Sequence, residues 1–118
     1  MLCRFIFSRN HFVPSQRRVK GDAFLPTRRP RETSVSRIVG LKEHLVWRSG
    51  DAVARASQRT LHARGDVLAR AVFTVGLDIC PDNKPKRHAA IVAWPEEKDR
   101  QMDLAQKIAA AAELRERP

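Results

Sequence analysis

The segment HAAIVAWPEEKDRQMDLAQKIAAAA, residues 88–112, changes its repeat once, and that change decides the fold class. His88 to Trp94 is a short apolar run of the kind that pairs in a sheet. Pro95 then opens a helix, where its missing N–H costs nothing, and Glu96, Glu97 and Asp99 fill the first turn beside the positive end of the helix dipole. Gln101, Leu104, Ala105, Ile108, Ala111 and Ala112 recur at helical spacing, which predicts about five turns and a length of about 30 Å. Such small apolar residues suit a helix lying close against a sheet.

Towards the N-terminus, Leu2 to Phe7 reads as a strand and Asn10 to Gln16, with Pro14, as a loop. Arg18 to Leu25 alternates like a half-buried strand interrupted by Gly21. Pro26 to Glu32 is a proline-bounded basic loop, because each proline biases its predecessor away from helix. Thr33 to Val39 resumes strand character, with Val35 and either Arg37 or Ile38 facing the core. Leu41 to Ser49 predicts a short helix capped by Gly50. Asp51 to Arg64 reads equally as a helical turn through Ala56 or as an extended stretch from Ser57. Asp66 to Leu77 is apolar on both faces, which predicts a covered central strand. Cys80 to Arg87 is a loop, and its length makes a hairpin into the strand at His88 plausible. The expected architecture is one α+β domain over residues 1–118. It has a mixed or mostly antiparallel sheet of four to five strands, one short helix and a long C-terminal helix on one face. Residues 1–16 are expected as a loosely attached strand and loop.

Charge is distributed unevenly. Residues 1–40 hold nine Arg or Lys against two acids, residues 41–70 six against three, and residues 71–118 eight against eight. The balance falls from +7 through +3 to zero, giving the total of +10. Such a gradient attracts polyanions, because each cation set against a phosphate releases counterions. The expected phosphate-backbone contacts are Arg17, Arg18, Lys20, Arg28, Arg29 and Arg31, joined by Lys84, Lys86 and Arg87 if the loops meet. Exposed rings distinguish single-strand binders, which stack bases. Of the aromatic side chains, Phe12 is expected to be the most exposed. No ribonucleoprotein motif, GxxG clamp or zinc-finger spacing occurs.

Metal-independent cleavage of a phosphodiester would instead need a proton acceptor among cations, and His88 is the best placed, directly after Lys84, Lys86 and Arg87. Trp47 and Arg48 suggest a third possibility, docking on an acidic protein partner within a complex. Cys3 and Cys80 give neither a disulfide framework nor a zinc site, and no HExxH occurs, so no metal is expected. Scattered glycines exclude a dinucleotide fingerprint or phosphate loop, and no serine sits in a nucleophile elbow, so no cofactor is expected. No apolar run approaches the ~20 residues of a membrane span. The acid-free first twenty-one residues also resemble an organelle transit peptide, but Leu2 to Phe7 suits a strand better, and a cytoplasmic location is expected. The leading expectation is a nucleic-acid-binding protein or nucleoprotein subunit, RNA or DNA, without catalysis. A small metal-independent ribonuclease using His88 is the alternative.

Overall fold

Strand alternation in Leu2–Ile6, designated β1, sends Leu2 and Ile6 to one side and Cys3 and Phe5 to the other, and all four are buried. A strand apolar on both faces belongs inside a sheet covered on both sides, and the computed structural model, which describes residues 1–118, places it there. The next strands and helices are β2 (Phe12–Val13), β3 (Arg18–Val19), β4 (Thr33–Arg37) and α1 (Glu43–Ser57). They are followed by β5 (Ala63–Val67), α2 (Ala69–Thr74), β6 (Asp78–Pro81), β7 (His88–Val92), α3 (Lys98–Ala111) and β8 (Glu113–Glu116). Six strands form one sheet in the order β6-β7-β4-β1-β5-β8, every neighbour antiparallel, and β2 and β3 form a separate small hairpin. The chain is therefore α+β, its main sheet one or two strands larger than the sequence predicts and the β2–β3 hairpin additional to it. Far from being loosely attached, β1 is a central strand.

Each face of the sheet has its own core. Leu2, Ile6, Val35, Ala63, Val67, Ala89 and Ile91 face α3, α2, the β2–β3 hairpin and a 3-10 turn at Gly21–Phe24. Cys3 and Phe5 face α1, which contributes Val46, Trp47 and Ala54 and is followed by Leu61. The result is three layers, with α1 on one side and the remaining helices on the other.

Several local expectations are corrected. Asp66 to Leu77 is the end of β5 followed by α2, because Ala69, Arg70 and Ala71 are good helix formers and a short apolar run fits helix as well as strand. Gly76, at φ +87, ends that turn in a conformation suited to glycine. The segment Arg18 to Leu25 is strand only at Arg18–Val19 before the 3-10 turn. In place of five turns from Pro95, α3 has 14 residues from Lys98, about 21 Å. The Gln101 amide instead donates to the Pro95 carbonyl at 2.7 Å, holding the chain just before the helix. The last strand, β8, was not anticipated. Phe12 is buried in the main core; the exposed ring is Phe73, 52% accessible.

Helix α1 runs 15 residues, and Gly50 lies inside it rather than capping it. A Cβ there would stand 2.7 Å from the Phe5 ring and 2.8 Å from Leu61, so the glycine lets the helix approach the sheet. The left-handed residue that ends α1 is Gln58, at φ 55. Gly50→Ala gains about 1 kcal/mol of helix propensity but overpacks at a cost of about 1–3 kcal/mol, so a net loss of stability is expected in urea unfolding; a gain would mean that helix and sheet are not in close contact.

Arg64, 2% accessible, anchors the same helix. Its Nε donates to Asp66 Oδ1 at 3.0 Å and its Nη2 to both Glu43 oxygens at 2.6 and 2.7 Å, while Arg115 Nε reaches Asp66 at 3.2 Å. Trp47 packs beneath, its ring centroid 4.8 Å from the Arg64 guanidinium and 5.3 Å from that of Arg117. Arg64→Ala leaves the buried Asp66 carboxylate with Arg115 alone and is expected to cost at most about 3–5 kcal/mol, measured as a shift in the unfolding midpoint. The hydrogen bond from Arg64 holds the Glu43 carboxyl below its ordinary value of 4.5. A depressed folded-state pKa means that this contribution is present above pH 4.5 and fades as pH falls through the folded value. Glu43→Gln should accordingly flatten the acid limb of the stability profile; an unchanged limb would remove Glu43 as its source.

Candidate functional site

Helix α1 covers only the β1–β5–β8 half of its face. Over the β4–β7 half the outward side chains are small or polar: Ser34 and Ser36 on β4, opposite Ala90 and His88 on β7. A cavity of about 340 Å³ lies there, between α1, the end of β1 and the β6–β7 loop.

Its floor comes from a split in the sheet. Whereas β1 pairs with β5 over five positions, it pairs with β4 only at Leu2↔Arg37 and Cys3↔Ser36. Past Cys3 the two strands part, and the Arg4 side chain enters the wedge. Its Nε donates to the Ala23 carbonyl at 2.8 Å and its Nη1 to the Ser34 carbonyl at 2.9 Å. The second bond satisfies a β4 carbonyl left without a β1 partner, and the first ties the strand to the 3-10 turn. Burial, with the nearby charge of Arg59 adding to it, pulls the Arg4 pKa down to about 10. On the other side of the sheet, burial holds the His11 imidazole below its ordinary range, with Arg4 and Lys20 contributing against Asp22.

Arg59 follows α1 and stacks over Phe7, 4.0 Å from the ring centroid, while its Nε donates to Ser57 Oγ at 2.9 Å. Lys84 and Lys86 reach the cavity from the β6–β7 loop, and its one lining carboxylate is Glu32. Neither Arg4 nor Arg59 forms an ion pair. Two guanidinium groups, two lysines and a single acid make a site whose electrostatic energy falls when an anion enters.

His88 lines this cavity and is 17% accessible. Its Nδ1 lies 2.7 Å from Asp82 Oδ1, and the same oxygen accepts the Lys84 backbone N–H at 3.0 Å. The Lys84 N–H, followed by the His88 contact, holds the Asp82 carboxyl below its usual range. Backbone bonds from Asp82 and Asn83 to the His88 carbonyl, and from His88 N to the Pro85 carbonyl, close the loop around the histidine.

The other sequence-designated residues divide by position. Arg28, Arg29 and Arg31 border an open groove of about 880 Å³ with Lys98, and Thr27 lines both this groove and the cavity. Arg31 alone among them meets an acid, Glu96, at 3.8 Å, and both side chains are exposed. Arg17, Arg18 and Lys20 are not part of this surface: they belong to the β2–β3 hairpin, which packs with α3 and β8 across the sheet. Arg87 turns away at φ 72 and lines a third groove with Met1, Arg37 and Phe73. The cations of the first forty residues thus do not form one surface: Arg28 to Arg31 adjoin the cavity, Arg17, Arg18 and Lys20 sit at the hairpin, and Arg37 lines the third groove.

Trp47 is 7% accessible and cannot be an exposed anchor; Arg48 lies at a groove with Asp51 and Arg117, whose side chains pair at 2.8 Å. Cys3 is buried, and burial, assisted by Asp66, pushes its thiol pKa upward, away from reactivity. No three His, Cys, Asp or Glu side chains converge, and no helix is long and apolar enough to cross a membrane.

Sequence reasoning missed Arg4, Arg59, Phe7 and the cavity serines Ser34, Ser36 and Ser49. The available signal was Arg4 itself, a cation in the middle of the apolar run Leu2 to Phe7. No family model, curated protein or solved structure matches the chain. Tripolyphosphate, used as a probe anion, should raise the Tm of the protein by a few degrees through preferential binding to the folded state, and that of Arg59→Gln much less. Equal shifts would place the anion elsewhere.

Proposed function

We propose that the protein binds nucleic acid through its phosphate backbone, along the cavity and the adjoining Arg28–Arg31 groove. The observation that carries this reading is the pair Arg4 and Arg59, adjacent cations without a carboxylate partner, opening on a cavity that also presents Lys84 and Lys86. Along β4, Ser34 and Ser36 share one face of the strand, and residues two apart are spaced about 7 Å. That is close to the spacing of successive phosphates on an extended strand, so a cavity of about 340 Å³ suits one nucleotide with a phosphate on either side. Arg59, held flat on Phe7, offers a guanidinium plane on which a base stacks. A single strand fits better than a duplex, because the cavity is recessed between helix and sheet and a paired base cannot enter it.

Arg28, Arg29 and Arg31 extend the track past Thr27, and the hairpin cations Arg17, Arg18 and Lys20 add general attraction at longer range. Fluorescence anisotropy with a single-stranded oligonucleotide between about 50 and 200 mM salt tests the reading, because each lost phosphate contact lowers the log–log slope by about 0.7. The double variant Arg59→Gln/Lys84→Gln is expected to lower the slope by about 1.4 and weaken binding, and Arg17→Gln/Arg18→Gln to do less. Affinity indifferent to salt, or a larger loss from the hairpin pair, would reject the cavity as the binding surface.

A further inference from the structure

We infer that the cavity cleaves as well as holds its ligand, and that the substrate is single-stranded RNA, cut at the phosphodiester by attack of the neighbouring 2′-hydroxyl with His88 as general base. The inference rests on the proposal that the cavity seats a nucleic-acid phosphate. Its own support is the arrangement around His88.

Asp82 holds Nδ1 of the imidazole at 2.7 Å, which fixes the tautomer with its proton on Nδ1 and leaves Nε2 as the basic nitrogen. Nε2 has no hydrogen-bond partner within the protein, and the ring lines the cavity. The carboxylate also stabilises the imidazolium that forms when Nε2 takes a proton. Asp82 Oδ1 receives the Lys84 N–H as well, so the base and one of the cations are set by a single oxygen on a loop closed by backbone hydrogen bonds. This is the rigid support that a catalytic group requires. Glu32, by contrast, enters from the far end of β4, four residues from the Ser36 that pairs with His88.

The reaction balances with residues of this chain alone. His88 Nε2 removes the 2′-hydroxyl proton, O2′ forms a bond to phosphorus, and the bond from phosphorus to O5′ breaks. O5′ leaves with a proton from the Lys84 or Lys86 ammonium, and both groups re-equilibrate with water. The products are a 2′,3′-cyclic phosphate and a free 5′-hydroxyl. Arg4 and Arg59 face the charge that builds on the phosphoryl oxygens, the position at which fixed cations lower the barrier most. DNA lacks the nucleophile, so it is bound without being cut.

The test is single-turnover cleavage, in EDTA, of a 5′-labelled single-stranded RNA, with the all-deoxy oligonucleotide of the same sequence as control and anisotropy on the same samples. The expected result is a cyclic-phosphate product from RNA only. His88→Ala should lower the rate by about 100-fold or more with affinity changed less than about threefold. Asp82 is a positioning residue: Asp82→Asn keeps an acceptor for the Lys84 N–H but removes the charge, and should lower the rate at least about tenfold while binding and Tm hold. RNA bound but left whole, RNA cut equally by His88→Ala, or DNA cut equally with RNA would each overturn the inferred His88 cleavage and leave the binding proposal standing. Absence of binding by either oligonucleotide would overturn both.

Discussion

The buried guanidinium of Arg64 governs the layout of the molecule. A charge of that size leaves water only where carboxylates meet it, and here Asp66 comes from the same strand while Glu43 comes from the first turn of α1. The pairing fixes where the helix begins on the sheet. Gly50 then fixes how near the helix lies, with Phe5 and Leu61 against its backbone. Both constraints act over β1, β5 and β8, so α1 cannot also shield β4 and β7. The bare half of that face is the cavity.

Within the cavity the usual economy of a folded protein is reversed. Most cations of α3 sit beside acids, as Arg100 does with Glu97 and Lys107 with Asp103. Arg4 and Arg59 have one another instead. Holding like charges together where water is partly excluded opposes folding, and the wedge between β1 and β4 forfeits ladder bonds as well. Proteins tolerate such features where a ligand supplies the missing partner. The Asp82–His88 pair stands at the edge of the same field, on a loop whose hydrogen bonds leave the imidazole little freedom.

How much of this the sequence disclosed depended on the kind of signal. The C-terminal helix, β1 and β7 were legible because their periodicity ran long enough or their apolar character was dense enough to admit one reading. The segment from Asp66 to Leu77 misled because alternation and helical spacing coincide over a few apolar residues; the five-residue pairing of β5 with β1 decides the matter, and it is a long-range contact. Gly50 read as a helix end because a glycine that terminates and one that makes room look alike in one dimension. The charge gradient identified cationic loops but not their places in the fold, so Arg28 to Arg31, which line a groove with Lys98, were grouped with Arg17 and Arg18 of the separate β2–β3 hairpin. His88, singled out by its neighbours in the chain, lines the cavity. Arg59 was not singled out, since only the tertiary fold carries it to Phe7.

The order of the strands leaves β6 and β8 as the two rims of the sheet. The first carries Asp78 and ends in Pro81, which has no N–H to offer; the second alternates Glu113, Arg115 and Glu116 around Leu114. Rims of that composition resist extension by a foreign strand, so the sheet is self-limiting and crowded copies gain little by templating one another. Recruitment of a partner by strand addition at either rim is thereby disfavoured.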